Sequence, residues 1–131
     1  MSVRRALPAD LDVVLAIEGQ WSTTPHWTRK HFESELDDPN SIFHVAEGGF
    51  LVARKYPHEI QLLDVAVAQA RRGVGRALLK ELMTRGRPIT LEVSSQNPGA
   101  QAFYEALGFR VVGRRTKFYT DGSDAVLMDL S

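Results

Sequence analysis

The chain has 131 residues, of which 16 are basic and 16 acidic, so its formal net charge is zero; 44% are hydrophobic and 24% charged. This length suits one domain, residues 1–131, with one core burying roughly two-thirds of the unfolded surface. The balanced charge argues against a general nucleic-acid binder, and the absence of cysteine removes disulfides, thiolate metal sites and thiol nucleophiles. In chain order, Val3 to Leu7 alternates as a short strand. Pro8-Ala9-Asp10 then opens a helix through Gln20, with Leu11, Val14, Leu15 and Glu18 three or four apart. Thr28 caps a second helix from Arg29 to Leu36, which ends before Pro39-Asn40. Ser41 to Glu47 and Phe50 to Tyr56 read as a hairpin turning on Gly48-Gly49, and Glu59 to Val67 as a third strand. A helix follows from Gly73 to Arg85 and stops at Gly86. Ile89 to Val93 is a strand, Pro98 to Leu107 a helix capped by Gly108, and Phe109 to Tyr119 a long strand. Asp121-Gly122 turns into a last strand from Asp124 to Leu130. The order β-α-α-β-β-β-α-β-α-β-β predicts an α/β fold, a mixed sheet with helices packed on it.

His26, His31, His44 and His58 lack ligand-like spacing, so no metal site is expected. No apolar run resembles an export signal or a membrane span, which predicts a soluble, cytoplasmic protein with no membrane partner.

Arg71-Arg72-Gly73-Val74-Gly75-Arg76 joins an apolar strand to an amphipathic helix carrying Val74, Ala77, Leu78 and Leu82. A helix start offers unpaired N–H groups and the positive end of the macrodipole. Glycines at 73 and 75 leave those amides open to an anion, and Arg71, Arg72 and Arg76 add charge. The place suits a pyrophosphate; it equally suits a glycine-capped helix start with solvated arginines. The third glycine of a dinucleotide fingerprint and the Gly-Lys-Ser/Thr of a P-loop are both missing.

In Ile89-Thr90-Leu91-Glu92-Val93-Ser94, alternation sets Thr90, Glu92 and Ser94 on one face. That face cannot be wholly covered by a helix. A carboxylate there can take a proton from an amine, or simply be solvated. In the helix after Asn97, Phe103 and Leu107 share a stripe that Tyr104 borders. A phenol there can donate a proton to a leaving thiolate, or pack in the core. Asn97 before Pro98 is a helix cap whose side-chain amide can also hold a ligand carbonyl.

Together these stretches resemble the GCN5-related N-acetyltransferase (GNAT) superfamily, and within it the ribosomal-protein-alanine N-acetyltransferases of the RimI type. The likeness runs through Ile17-Glu18 with Pro25-His26-Trp27-Thr28 and Phe32, and through Val65-Ala66-Val67 with Arg72-Gly73-Val74-Gly75-Arg76-Ala77-Leu78-Leu79. It continues in Leu91-Glu92-Val93, Asn97 and Phe103-Tyr104-Glu105-Ala106-Leu107-Gly108-Phe109, then in Arg114-Arg115, Asp121-Gly122 and Asp124 to Met128. The resemblance implies a sheet whose central parallel strands splay around acetyl-CoA, and direct attack of an amine on the thioester. It implies Glu92 as general base, Tyr104 as general acid, and the backbone of Val65, Ala66 and Val67 against the pantetheine arm and acetyl carbonyl. Residues Arg71, Arg72, Gly73, Val74, Gly75 and Arg76 would hold the pyrophosphate, and Asn97 would touch the cofactor. The implied acceptor is a protein N-terminal α-amine, the alanine of a small-subunit ribosomal protein; the alternatives are a small-molecule amine, or an acetyl-CoA-binding module without catalysis.

The chain departs from this pattern in places. Ala70 stands where the family has glutamine or arginine, and the connection from Val67 to Gly73 is shorter and lacks a proline. Backbone amides after Gly73 are therefore expected to do most of the holding. Lys117-Phe118-Tyr119 replaces the family's paired tyrosines on the acceptor side. Asp64 stands in place of asparagine, either as a second acid facing the acceptor or as a strand-end residue bonded to nearby amides. Trp27 is expected to pack in the core, while Trp21 carries no preference.

Overall fold

The computed structural model describes residues 2–20, 27–70 and 72–131. Its elements are β1 (Arg4–Arg5), α1 (Leu11–Gln20), α2 (Arg29–Asp37), β2 (Ser41–Ala46), β3 (Gly49–Lys55), β4 (Ile60–Val67), α3 (Val74–Met83), β5 (Ile89–Ser94), α4 (Pro98–Ala106), β6 (Arg110–Arg115) and β7 (Ala125–Leu130). This is the expected element order. The strands form one mixed sheet in the order β1-β2-β3-β4-β5-β7-β6, antiparallel except for the β4–β5 pair.

Several boundaries differ from expectation. The hairpin turns on Glu47 and Gly48, with Gly49 already paired to Ala46, because Gly48 alone takes the left-handed conformation (φ 78°). Pro8–Asp10 is a separate 3-10 turn ahead of α1. The strand expected to reach Tyr119 ends at Arg115, and Lys117 at φ 50° bends the chain there, its N–H donating to Asp124. Gly73 stands outside α3 as its left-handed cap residue (φ 77°).

Alternation along the strands divides the core between the two sheet faces. On one face, Leu51, Ala53, Ile60, Leu62, Leu91, Val93, Val126 and Met128 meet Val74, Leu78, Leu79 and Leu82 of α3 and Tyr104 of α4. On the other, Phe43, Val45, Phe50 and Val52 meet Leu11, Val14 and Ile17 of α1 and Phe32 of α2. Phe32 is fully buried, edge-on to Phe50 at 5.4 Å and beside Trp27 at 5.2 Å. Burying one such ring contributes about 2–3 kcal/mol. Trp27 packs against this cluster as expected, whereas Trp21 lies outside the described residues. Arg54 of β3 fixes α2 over the sheet by donating to both oxygens of the buried Glu35 carboxylate, at 2.7 and 2.6 Å.

One irregularity shapes the centre of the sheet. Ala53 pairs with Leu62 and Val52 with Asp64, so Leu63 is an extra residue in β4. Such a bulge bends its strand. The parallel ladder between β4 and β5 holds only Ile60–Ile89 and Gln61–Thr90, and the two strands part beyond it.

The β2–β3 turn supports the start of α3. A Cβ added at Gly49 would lie 2.5 Å from Val74 Cγ1 and 3.2 Å from the Ala66 carbonyl oxygen. Gly49→Ala is therefore expected to lower stability by about 1–3 kcal/mol, read from a denaturant midpoint.

Candidate active site

The site grows from the parting of β4 and β5. Beyond Gln61, β4 carries Asp64, Val65, Ala66 and Val67 along the gap, all of them partly buried. Val65 and Val67 pack toward the α3 face and Ala66 toward the α1 face, so the gap is edged chiefly by backbone and small apolar groups.

At one end of the gap stands the N-terminus of α3. Gly73 makes no side-chain cap bond, and a Cβ there would meet open space. The first intrahelical bond runs from the Ala77 N–H to the Gly73 carbonyl oxygen at 3.0 Å. The N–H groups of Val74, Gly75 and Arg76 thus precede the helix's own ladder, at the positive end of its dipole. Arg72 and Arg76 are exposed beside them and form no ion pair with a described residue. An uncapped helix start with two unpartnered guanidinium groups fits a pyrophosphate. Arg71 falls outside the described residues. Gly75 has a second duty that the sequence did not reveal. Its Cβ would sit 3.3 Å from Phe103 Cζ and 3.7 Å from Val67 Cγ1, so its bareness also lets α3 approach α4 and β4.

Glu92 lies on the sheet face that α3 and α4 do not cover, as alternation predicted, while Leu91 and Val93 point into the core. It lines an open groove with Gln61, Thr90, Val112, Arg115 and Leu127. The Arg115 guanidinium reaches Glu92 across the groove at 3.5 Å and lies 5.5 Å over the Phe118 ring. Tyr119 stands near enough that the charge of Glu92, after the effect of burial, adds to a raised phenol pKa. Arg115 was visible in sequence only as part of the resemblance, and Tyr119 only as part of a departure from it. Their meeting with Glu92 depends on β6 and β7 folding back beside β5.

Tyr104 occupies the opposite face. It is the one buried residue of α4 at 8% exposure, so it leads the apolar stripe it was expected to border. Ala100, Phe103 and Leu107 flank it, and Phe109 meets its ring edge-on at 5.6 Å. Burial, and then the nearby charge of Asp64, hold the phenol well above its ordinary pKa. Glu92 and Tyr104 are thus not neighbours on one wall; they approach the gap from opposite faces. Asn97 performs its capping role, accepting from the Ala100 N–H at 3.1 Å.

Asp64 shares the face of Val52 and α1, where it meets Glu18. Its carboxyl is pushed up to about 8, first by burial, then by the hydrogen bond and charge of Glu18, against a small opposing bond from the Val65 N–H. Of the two expectations for Asp64, the bond from a neighbouring amide is present, donated by the Val65 N–H, while the carboxyl is turned toward Glu18. Glu18 is 9% exposed, and its Oε2 accepts from the Trp27 N–H at 3.0 Å. Sequence reasoning gave Glu18 no role; a carboxylate on the apolar stripe of a helix is the signal that could have singled it out.

The sequence profile described as Acetyltransferase (GNAT) domain matches residues 20–131. The N-alpha-acetyltransferase RimI of Mycobacterium tuberculosis is 34% identical over 116 residues, spanning 78% of this chain and 73% of its own. The ribosomal protein bS18-alanine N-acetyltransferase of Escherichia coli K12 is 35% identical over 135 residues, 92% of this chain and 90% of its own. A 5-NmdU N-acetyltransferase of Pseudomonas phage PaMx11 is 36% identical over 123 residues, 85% of this chain and 88% of its own. The crystal structure of the ribosomal-protein-S18-alanine N-acetyltransferase from Escherichia coli matches with a TM-score of 0.84 at 30% identity, over 98% of this chain and 92% of that one. A profile match over most of the sequence, joined by relatives alike along nearly its whole length, makes the chain a member of the GNAT family, an acetyl-CoA-dependent N-acetyltransferase.

Proposed function

We propose that the enzyme transfers acetyl to the α-amine of a protein N-terminus, with the alanine terminus of a small-subunit ribosomal protein as the first acceptor to test. The observation that carries the mechanism is the placement of Glu92 and Tyr104 on opposite sides of the β4–β5 gap. An amine arriving on the open face meets a carboxylate, and a sulfur leaving toward the helix face meets a phenol. Glu92 takes the proton of the attacking amine, whose intrinsic pKa near ~8 asks only modest help at neutral pH. Tyr104, kept protonated by burial, gives its proton to the departing sulfur. The chain has no cysteine, and the acetyl group passes directly from thioester to amine.

The start of α3 holds the pyrophosphate through the backbone of Gly73, Val74, Gly75 and Arg76, with the side chains of Arg72 and Arg76 and, by resemblance, Arg71. The backbone of Val65, Ala66 and Val67 faces the pantetheine arm and acetyl carbonyl, and Asn97 contacts the cofactor beyond its capping bond. The protein N-terminus is favoured as acceptor by the likeness to two relatives named for that substrate. A small amine-bearing acceptor is the second reading, motivated by the equally similar phage enzyme named for 5-NmdU. Lys117-Phe118-Tyr119 on the acceptor side, in place of paired tyrosines, points the same way.

Mass spectrometry after incubation with acetyl-CoA and an alanine-starting peptide separates the two readings. An acetylated peptide N-terminus supports the first. Turnover on small amines, with the peptide untouched, would sink it. Tyr104→Phe is expected to lower kcat by about 10²-fold with little change in the KM for acetyl-CoA, because the ring still packs while the donated proton is lost. An unchanged kcat would remove Tyr104 from the mechanism.

A further inference from the structure

Arg114 and Arg115 are neighbours in sequence with different duties. Arg114 donates to the Asp124 carboxylate at 3.1 Å, and Asp124 also accepts from the Lys117 N–H at 3.0 Å, so one carboxylate ties Arg114 to the turn after β6. The Arg115 guanidinium makes no hydrogen bond to a described residue. It reaches across β7 toward Glu92 of β5, stops at 3.5 Å, and leaves its side chain more than half exposed. Gly113, on the row of Leu127 and Glu92, adds no side chain to that space. The second neighbour of Arg115 is Phe118, whose ring centroid lies 5.5 Å from the guanidinium carbon. Phe118 is itself set edge-on against Tyr119 at 5.1 Å, and the Tyr119 N–H donates to the Ser123 carbonyl oxygen. The platform under Arg115 is therefore built into the β6–β7 turn.

The groove around Arg115 is otherwise acidic. Among the described residues that line it, Glu59 and Glu92 are anionic and Arg115 is the one cation. Asp121 adds a further negative charge near Tyr119. An ammonium is thus well received there, but Arg115 already stands at the carboxylate that must receive it. A guanidinium stays charged at any working pH. Two cations drawn to one carboxylate repel each other unless a second anion draws one of them away. Phe118 lets Arg115 make that exchange. Resting on the ring, a guanidinium keeps its N–H edge free to hold a carboxylate through two parallel bonds.

We propose that Arg115 sets acceptor specificity by taking a carboxylate that lies beside the reacting amine, so that a protein N-terminus with an acidic second residue is preferred. This rests on the reading of a protein N-terminus as the acceptor. With the amine at Glu92, the second Cα follows about 3.8 Å beyond the first. Its side chain is then the one placed to meet a guanidinium standing 3.5 Å from Glu92. The groove, at ≈ 340 Å³, has room for that side chain beside the amine. Each charge of such a terminus finds its opposite, the ammonium at Glu92 and the carboxylate at Arg115. A basic second residue would instead meet Arg115 with like charge.

The test uses the full-length enzyme, acetyl-CoA and four alanine-starting peptides that differ in the placement of one charge. Three carry glutamate, glutamine or lysine as the second residue, and the fourth carries glutamine there and glutamate in sixth place. The kcat/KM of the glutamate-second peptide should exceed that of the glutamine-second peptide by about threefold to fivefold, the range that an exposed ion pair supports. Lysine in second place should lower it by a similar factor. Glutamate in sixth place should lose most of the gain, because the effect is a contact with Arg115 and not the charge of the whole peptide. Arg115→Gln should abolish the preference for glutamate, and Arg115→Glu should reverse it in favour of lysine. Arg115→Lys should keep the order with a smaller spread, since a point charge replaces the fork.

Each comparison is made among peptides within one enzyme. A variant that folds less well lowers all four rates together and leaves their order intact, so a merely structural role for Arg115 would not move the ratios. Peptides acetylated with one kcat/KM whatever their second residue overturn the inference and leave the protein-terminus reading standing. So does an undiminished preference for glutamate in Arg115→Gln, or an equal gain from glutamate in sixth place. If none of the four peptides is acetylated, the protein-terminus reading itself falls and takes this inference with it.

Discussion

Glu92→Gln should lower kcat by about tenfold or more at neutral pH, and by progressively less as the pH is raised. Glutamine keeps the size of the side chain and its place on the open face of β5, but it cannot accept the amine's proton. At pH near ~7 most of an α-amine with intrinsic pKa ~8 is ammonium, so a base is needed for attack. Above that value the amine is already neutral, and the ratio of unaltered to variant rate should narrow. Comparing the two enzymes at each pH cancels any titration they share, including that of Asp64. The substitution also frees Arg115, whose guanidinium stands 3.5 Å from Glu92. An exposed pair of this kind contributes about 0–1 kcal/mol, so the fold should survive. A loss equal at every pH would instead mean that Glu92 positions the amine without taking its proton.

How much of this was legible in the sequence follows from the range over which each feature is determined. The element order and the caps at Thr28 and Asn97 depend on a few adjacent residues, and they are present as read. Thr28 goes further, pairing reciprocally with His31, whose Nδ1 accepts from the Thr28 N–H at 3.1 Å. The alternation that exposed Glu92 is equally local. Three features were not legible because they depend on distant partners. The bulge at Leu63 exists only relative to β3, and without it nothing marks where β4 leaves β5. Tyr104 leads its helix stripe because Phe109 and the α3-side core close around it, which spacing within α4 cannot state. Glu18 and Asp64 lie far apart in the chain, and each alone reads as an oddly placed acid. The hairpin turn was misread for a simpler reason. Two glycines invite a turn on both, but the crowding of Gly49 against Val74 is a tertiary demand that fixes it in the strand.

Gly75→Glu should abolish detectable CoA binding, a weakening of at least about 10²-fold in calorimetry. Gly75 is the second residue of α3, where a carboxylate favours the helix by interacting with its dipole. The helix itself should therefore persist, and what changes is the sign of the charge at its open end. The backbone amides there, with Arg72 and Arg76, suit an anion; a fixed carboxylate competes for them and repels the pyrophosphate. Space acts separately, because a Cβ at this position would lie 3.3 Å from Phe103. Gly75→Gln resolves the two contributions, since it adds the same bulk without charge. The glutamine variant should lose part of the affinity, and the glutamate variant the remainder. Raising the salt concentration should narrow the difference between them, as screening weakens repulsion between exposed charges. If both variants lose affinity equally, the contact with Phe103 and Val67 governs the site. If Gly75→Glu binds CoA as well as the unaltered protein, the pyrophosphate must sit elsewhere than on α3.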